Sequence, residues 1–590
     1  MTQQKVLFFS PFAGIWLHAM PEALVAKELQ RAGANVTYVT CDGILASGCA
    51  VMSAHALPAT AGTEERERIC TMCRKQRDMI VDALGVESVT IESLVDEAAR
   101  AEVQQTVAKA TEQNMTEVRV EDLPVGRYAL HETVIHFKLS DLGEMTAAAF
   151  EHFKVDLKHT LLAMKATQAM LRRFSPQRIV TYNTHYSLNF AMMNLAERQG
   201  VAVYGLHASN NMAKRLLGLY VFRRDMVILY RDMMRRFEEE LHRVPAHAVG
   251  ITDATDHFIG LTSAGSLFVY STPRQRDQFN VRKFFGIGDN QKVLLATLSS
   301  YDELYSSQVL GVMEEHRLMF PTQVEWIAEL IAWARTRPDL FLIVRVHPRE
   351  FPNRRDAVHS THAKRLAATF ENLPPNVRIN WPTDNVSLYD VATEVDVGLN
   401  GWSSAGKELS LLGIPVVLFT KDILYYPSSL NMLGTSKEHY FQLIDRALSS
   451  GWSLERVRST YRWLAIEYNL STVDISDGFS FAEVRRRSLA RRIRDRIMRR
   501  LDPWRMQRSN LRVLRRPLRN GRTFARAILE DIPVVQLQLE ARKVLSPRDE
   551  NRLLRAELER ILQKAYPDMP ASRPLMQRLQ SAVPILEAGA

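Results

Sequence analysis

The segment from Asn400 to Phe419 constrains this chain more than any other. An apolar run, 395–399, enters a turn of small residues with adjacent hydroxyls at Ser403 and Ser404. A short helix-like stretch follows, then Gly413 and a second apolar run, 416–419. Buried strand, helix and buried strand in that order belong to a wound α/β sheet. The turn leaves backbone N–H groups unpaired at a helix start, where the dipole favours an anion. Ser403 and Ser404 add hydroxyl donors, and Glu408 lies one turn further on, within reach of a ribose or sugar. About fifty residues earlier another buried run, 341–346, ends in His347-Pro348-Arg349. Polar groups at the carboxyl ends of two such strands mark where open α/β sheets bind nucleotides. The pattern predicts a nucleotide-phosphate site.

The same alternation extends back to the start of the chain. A strand at 5–11, a loop with Gly14, Trp16 and His18, a helix at 21–31, Gly33 and a strand at 36–40 form a βαβ opening. Between 41 and 120 the alternation breaks down, which predicts an insertion. A helix at 147–174, strands at 178–182 and 201–206, and a helix between them complete a first wound domain over 1–270. A second unit, 283–440, carries strands at 293–297, 341–346, 377–381, 395–399 and 416–419. The link 263–282 is the expected hinge, and 441–590 reads as a helical extension without further strands. The expected fold class is therefore α/β, two Rossmann-like doubly wound domains facing a cleft.

A chain of 590 residues holds two or three domains, and its 46% hydrophobic content is ordinary for a globular protein. No window approaches about 18 uninterrupted apolar residues, so no membrane span is expected. The N-terminus runs straight into a strand, with neither the apolar region nor the cleavage site of a signal peptide. A cytoplasmic protein is expected. The net charge of +10 is concentrated: 485–526 holds seventeen arginines, no lysine and two acids, Asp495 and Asp502. The remainder is mildly acidic, as in a soluble enzyme.

The second half resembles the C-terminal domain of GT-B glycosyltransferases of bacterial capsule and surface polysaccharide biosynthesis. It is most similar in pattern to capsule Kdo transferases, polysialyltransferases and CDP-glycerol glycerophosphotransferases. The resemblance rests on His347-Pro348 after a buried strand, and on Ser403-Ser404 before a helix with Glu408 and Gly413-Ile414-Pro415. The stretch from Trp381 to Asp390 also fits, and coverage is clear over about 292–426. The resemblance implies a GT-B fold, a nucleotide-sugar donor of CMP or CDP type held by the His-Pro and Ser-Ser elements, and a glycan or lipid-linked acceptor. Polysialyltransferases carry an acidic pair followed by Gly in their N-terminal domain as the base. This chain has no such tripeptide there, so the base does not carry over.

Transfer from a nucleotide sugar requires stabilisation of the leaving phosphate and deprotonation of an acceptor hydroxyl. Without a bridging metal the first task falls to amides, hydroxyls and cations. His347 is a candidate donor to the phosphate, with Arg345 or Arg349 adding charge. Ser299, Ser300, Asp302 and Glu303 end the first strand of the second unit and border the same expected cleft. The base is expected from the first domain, at a strand end: His18, His185 or His207, with Asp42 as a carboxylate alternative.

All four cysteines, Cys41, Cys49, Cys70 and Cys73, fall within thirty-three positions, as C-x7-C, a gap of twenty and C-x2-C. That confinement predicts a tetrathiolate site, most simply structural zinc, with an iron–sulfur cluster as the alternative using the same ligands. Within 485–526, Leu489, Ile493, Ile497 and Leu501 recur at helical spacing among arginines, with Trp504 nearby. An apolar stripe flanked by cations predicts a helix on an anionic membrane surface, making the protein peripheral on the inner face of the cell membrane. Docking of polysaccharide-assembly proteins is the alternative, and nucleic acid is not an expected partner. The leading expectation is an inverting, metal-independent glycosyltransferase. Its rivals are a CDP-glycerol-type phosphotransferase, a sugar-nucleotide epimerase, and a non-catalytic GT-B scaffold.

Overall fold

The computed structural model describes residues 3–588 except 58–60, 264–267, 276–278, 315–317, 354–357, 480–501, 503 and 568. The first sheet is built from β1 (Lys5–Phe9), β2 (Asn35–Thr40), β3 (Glu87–Thr90), β4 (Arg178–Tyr182), β5 (Ala202–Ala208) and β6 (Gly218–Arg223). The second contains β7 (Lys292–Thr297), β8 (Leu340–Arg345), β9 (Val377–Asn380), β10 (Val397–Asn400), β11 (Val416–Leu418) and β12 (Met432–Leu433). A late strand, β13 (Thr472–Asp474), returns to the first sheet.

Strand order decides where ligands go. The first sheet runs β13-β6-β5-β4-β1-β2-β3 and the second β12-β11-β10-β7-β8-β9. Each contains the Rossmann order, in which the chain winds outward, returns past its first strand and winds the other way. The reversal lies between β1 and β4 in the first sheet and between β7 and β10 in the second. Helices diverge at these switch points and leave a crevice at the strand carboxyl ends. The protein is therefore an α/β, GT-B-type molecule with two Rossmann-like units, as its sequence predicts.

Both sheets are covered on both faces, so their parallel strands read as continuous apolar runs. Val6 and Phe8 of β1 face a core with Met20, Ala23 and Leu24 of the Trp16–Arg31 helix. Leu7 and Phe9 face the other core, with Leu157, Leu161 and Met164 of the Ala147–Phe174 helix. The second sheet repeats this: Val293 and Leu295 join one core, Leu294 and Ala296 the other.

Two expectations are corrected here. Residues 41–120 are not wholly an insertion, because β3 lies among them and pairs in parallel with β2. Its single buried residue, Val89, gave too little apolar signal to show a strand. The 441–590 extension is not all helix, because β13 pairs antiparallel with β6. Three residues are too few for periodicity to register. The apolar residues of 505–529 do not lie open to a bilayer: Leu511, Leu514, Leu518, Phe524 and Ile528 join the core against the Trp16–Arg31 helix. Every arginine from Arg505 to Arg526 stays exposed. Leu489, Ile493, Ile497 and Leu501 lie outside the described residues.

The packing also crosses the expected domain limits. Tyr230, Met233, Phe237, Ile251 and Phe258, within 1–270, share a core with Val293, Phe341 and Val395 of the second unit. On another side, buried Lys138 donates to the carbonyls of Arg349 (2.6 Å) and Val358 (2.7 Å). The expected hinge, 263–282, falls in part outside the described residues.

Candidate active site

The two units enclose a cavity of about 440 Å³. Its walls come from both: Asn210, Arg215 and His257 on one side, Arg345, His347, Ser403 and Glu408 on the other. A second cavity of about 360 Å³ adjoins it, and the two share Glu303, His347, Ser403 and Ser404. Six of the seven expected donor-site residues thus line one cavity or the other, Ser299 only the second, Glu408 only the first, and His347, Ser403 and Ser404 both. Arg345 lines the first cavity as well.

The loop carrying the serines is fixed from beneath by Asn400, fully buried at the end of β10. Its side chain accepts from the Thr297 hydroxyl (2.8 Å) and from the Ser403 N–H (3.2 Å). It donates to the Ser403 carbonyl (2.9 Å) and the Tyr426 hydroxyl (2.8 Å). Thr297 ends β7, so these bonds tie the two strands of the switch point together. The chain then passes so close to Tyr426 that a Cβ on Gly406 would stand 2.0 Å from its hydroxyl. Gly413 closes the Ala405–Leu411 helix at φ +76, and a Cβ there would meet the Trp452 ring.

The polar groups have defined tasks. Ser404 does not cap its helix; its hydroxyl donates to Glu408 (2.9 Å), and the Tyr389 hydroxyl donates to the other Glu408 oxygen (2.9 Å). Burial raises the Glu408 pKa. The Ser403 hydroxyl accepts from the Ala405 N–H (3.3 Å). The Ser299 hydroxyl is buried without a hydrogen-bond partner and faces the second cavity.

His347 Nδ1 accepts from the Arg349 N–H (3.3 Å), so the proton of the neutral ring sits on Nε2. Burial, reinforced by Arg349, pushes its pKa down to about 4. At neutral pH this imidazole is an uncharged donor. Arg345 stays charged, although burial lowers its pKa to about 10, and donates to the Asn380 side chain and the Val386 carbonyl (3.0 Å). Arg349 belongs to a different structure. Its guanidinium is paired with buried Asp302 (2.7 Å) and lines neither cavity.

The three histidines gather at the switch point of the first sheet, His18 after β1, His185 after β4 and His207 within β5. His18 stacks on Tyr182 with ring centroids 4.1 Å apart. Asn183, in the left-handed region at φ 57, accepts the His185 N–H (3.1 Å) and sets that turn. Burial drives the pKa values down, His18 and His207 to about 3 with help from Arg215, and His185 to about 4. His18 Nδ1 and His185 Nε2 are buried without partners. None of the three is among the residues lining the two cavities.

Sequence reasoning missed three charged residues of the cleft. Arg215, in the turn between β5 and β6, brings a cation from the first unit and lies 4.9 Å over the Phe268 ring. Lys407 and Glu467 form a buried pair at 2.6 Å in the cavity wall. Glu467 also accepts from the Tyr230 hydroxyl (3.0 Å). It sits in a π-helical turn, Ile466–Leu470, a distortion that often marks functional positions. Lys407 adjoins Glu408 and was legible there; Glu467 lies sixty residues away in a region read only as helix.

The cysteines come together around a small cavity. All four are free thiols, and burial raises their pKa values, that of Cys73 to about 12. Among the described residues no group of three or more His, Cys, Asp or Glu is placed to hold a metal ion. The four thiols expected to hold zinc or an iron–sulfur cluster thus share one cavity without three of them being placed to hold an ion. No helix among the described residues is long and apolar enough to cross a membrane.

No family model matches the chain, and no curated protein matches it by sequence. Among solved structures it is similar to a UDP-N-acetylglucosamine 2-epimerase, at 13% identity over 79% of this chain and 95% of that one, TM-score 0.22. It is similar to the calicheamicin glycosyltransferase CalG4, at 14% identity over 80% and 95%, TM-score 0.24. A third is KpsC of Thermosulfurimonas dismutans, a beta Kdo 2,4 transferase, at 17% identity over 51% and 82%, TM-score 0.32.

Proposed function

We propose that this protein is a glycosyltransferase that moves a sugar from a nucleotide donor to a glycan or lipid-linked acceptor. The observation that carries this reading is the cavity between the two units, walled on one side by neutral His347, the Ser403–Ser404 loop and Glu408 at the switch point of the second sheet. Arg215, Arg345 and Lys407 line it, supplying fixed positive charge for a leaving phosphate as it develops. His347 Nε2–H donates to a phosphate oxygen, and Glu408, oriented by Ser404 and Tyr389, takes a ribose or sugar hydroxyl. Protein cations and donors then do the work of stabilising the leaving group, which fits a metal-independent, inverting displacement. For the acceptor-side base we propose His18, His185 or His207, His18 first, at the switch point of the first sheet and outside the two cavities. The His18 ring is neutral at pH 7 and its Nδ1 has no partner.

The donor is proposed to be CMP- or CDP-linked and the product a capsule or similar surface glycan, on the resemblance of the His-Pro and Ser-Ser elements. Peripheral attachment to an anionic membrane is proposed through 485–526, whose arginines from 505 onward are all exposed. The test is a panel of nucleotide sugars with wild type, His347→Ala and a Ser403→Ala/Ser404→Ala double variant, product chemistry being the readout. A new glycosidic bond lost in both variants, with unchanged circular dichroism, is expected. A phosphodiester, an isomerised donor, or full activity in both variants overturns the assignment.

A further inference from the structure

The two cavities that meet at His347 and the Ser403–Ser404 loop differ in charge. Arg215, Arg345 and Lys407 line the first. Among the described residues that line the second there is no lysine or arginine, and the one carboxylate is that of Glu303. Arg349 approaches Glu303 at 3.5 Å but lines neither cavity, its guanidinium being held by Asp302 (2.7 Å). A phosphate in the second cavity would meet no fixed positive charge, so the anionic part of a donor belongs in the first. The second, at about 360 Å³, still has the volume of a small-ligand site.

Its walls come from the loops at the carboxyl ends of β7, β10 and β11. After β7 stands Ser299, whose backbone is pinned on both sides by buried Gln323. That side chain accepts from the Ser299 N–H (2.8 Å) and donates to the Ser299 carbonyl (3.1 Å). The Ser299 hydroxyl, held in this way and left without a partner, offers one donor and one acceptor to a ligand. Leu304 of the following helix joins Met313 and Ile423 in a small apolar cluster that lines the same cavity. After β10 stands Trp402, half-buried, its ring braced by Phe419 (centroids 6.5 Å apart) and Tyr301 (6.3 Å). After β11 stands Tyr425. Burial raises its pKa to about 12, with the carboxylates of Glu303 and Asp225 adding to the effect, so the hydroxyl keeps its proton.

Aromatic rings, hydroxyls and one carboxylate, without a cation, are the complement of an uncharged pyranose. The C–H face of such a ring packs on the electron-rich face of an aromatic side chain, and its hydroxyls reach Ser299 and Glu303. A carboxylate on that sugar would instead meet Glu303 with no cation to balance the two. Because both cavities are lined by His347, Ser403 and Ser404, a bond from phosphate to sugar crosses that shared wall. We infer that the second cavity takes the sugar of the nucleotide donor and selects an uncharged ring through Trp402, Ser299 and Glu303. This rests on the transferase reading and adds to it the class of sugar moved.

The experiment is calorimetric titration of the full chain. The probes are free UDP, CDP and CMP, then UDP-glucose, UDP-N-acetylglucosamine and CDP-glucose as uncharged sugars, and UDP-glucuronate and CMP-N-acetylneuraminate as charged ones. The expected result is an uncharged sugar nucleotide bound about tenfold or more tightly than either charged one. Trp402→Ala should weaken that sugar nucleotide about tenfold while shifting the free nucleotide by less than about twofold. Glu303→Gln should narrow the gap between uncharged and charged sugars by about tenfold. Should Trp402→Ala fail to fold by circular dichroism, Glu303→Gln carries the test, because its side chain is 55% exposed. Nucleotides that bind while a charged sugar is held as tightly as an uncharged one overturn this inference and leave the transferase reading standing. So do nucleotides that bind while no sugar nucleotide does, or while Glu303→Gln leaves the gap unchanged. A protein that binds none of the probes overturns both.

Discussion

Removing one partner of the Lys407–Glu467 pair tests whether the cleft wall is an electrostatic device. The ammonium lies 2.6 Å from both carboxylate oxygens, and Lys407 and Glu467 are 7% and 1% exposed. At an effective dielectric of about 20, two unit charges at that distance attract by roughly 6 kcal/mol. Desolvation offsets much of this, so the pair has little net value over an apolar one, but stranding either charge costs about 3–5 kcal/mol. Three observations put this pair at the upper end of that range. Glu467 holds a further bond from Tyr230, its own carbonyl accepts from the Tyr220 hydroxyl (2.8 Å), and Lys407 lies 5.4 Å from the Tyr468 ring centroid. Lys407→Met and Glu467→Gln should each lower the urea midpoint of the transition involving this wall. The double variant should be less destabilised than the sum, with a coupling of about 2–3 kcal/mol. Donor affinity, measured by calorimetry, should fall about tenfold or more in every variant lacking Lys407, because the proposed donor cavity loses one of its lining cations. Single variants that lose only the ~0–1 kcal/mol of an exposed pair would refute the reasoning.

Gly406→Ala places a methyl 2.0 Å from the Tyr426 hydroxyl and 2.5 Å from Asn400 Nδ2, and should cost about 1–3 kcal/mol. Tyr426→Phe in that background should restore part of the lost melting temperature; a wild-type melt for Gly406→Ala alone would show that the loop is not held as described. The buried histidines set an acid limit. His18, His185, His207 and His347 have pKa values of about 3, 4, 3 and 4 when folded. Their unfolded value is about 6.5, so below pH 6.5 the unfolded chain binds protons that the folded one refuses, and stability falls until pH reaches about 3. Melting temperature should drop steeply between pH 6.5 and 4, and His347→Asn should flatten that slope; an unchanged slope counts against a buried neutral His347. Buried Glu22, raised to about 8, works in the opposite direction. Its folded form holds a proton that the unfolded form loses above pH 4.5, so its contribution declines as pH climbs to about 8.

The second-unit wall of the cleft was readable because its parts are local. A parallel strand buried on both faces writes a continuous apolar run, and the residues just past its end are the ones its sheet delivers to the crevice. His347, Ser403, Ser404 and Glu408 each follow such a run by a few residues. Arg349 shows where that logic fails: it sits in the same stretch as His347, yet the nearest buried carboxylate, Asp302, takes its charge.

By itself the sequence determined two wound α/β units, the strands that carry His347, Ser403, Ser404 and Glu408 to the cleft, and the confinement of every cysteine to one stretch. Tertiary structure alone decided which distant residues meet. Lys407 finds Glu467 across sixty positions, Cys41 comes to share a cavity with Cys73, and β13 returns to the first sheet. The physical reason is that periodicity records only which face of an element is buried. A partner charge, a fourth thiol or a three-residue edge strand is chosen by what the opposite wall presents, and no local pattern carries that information.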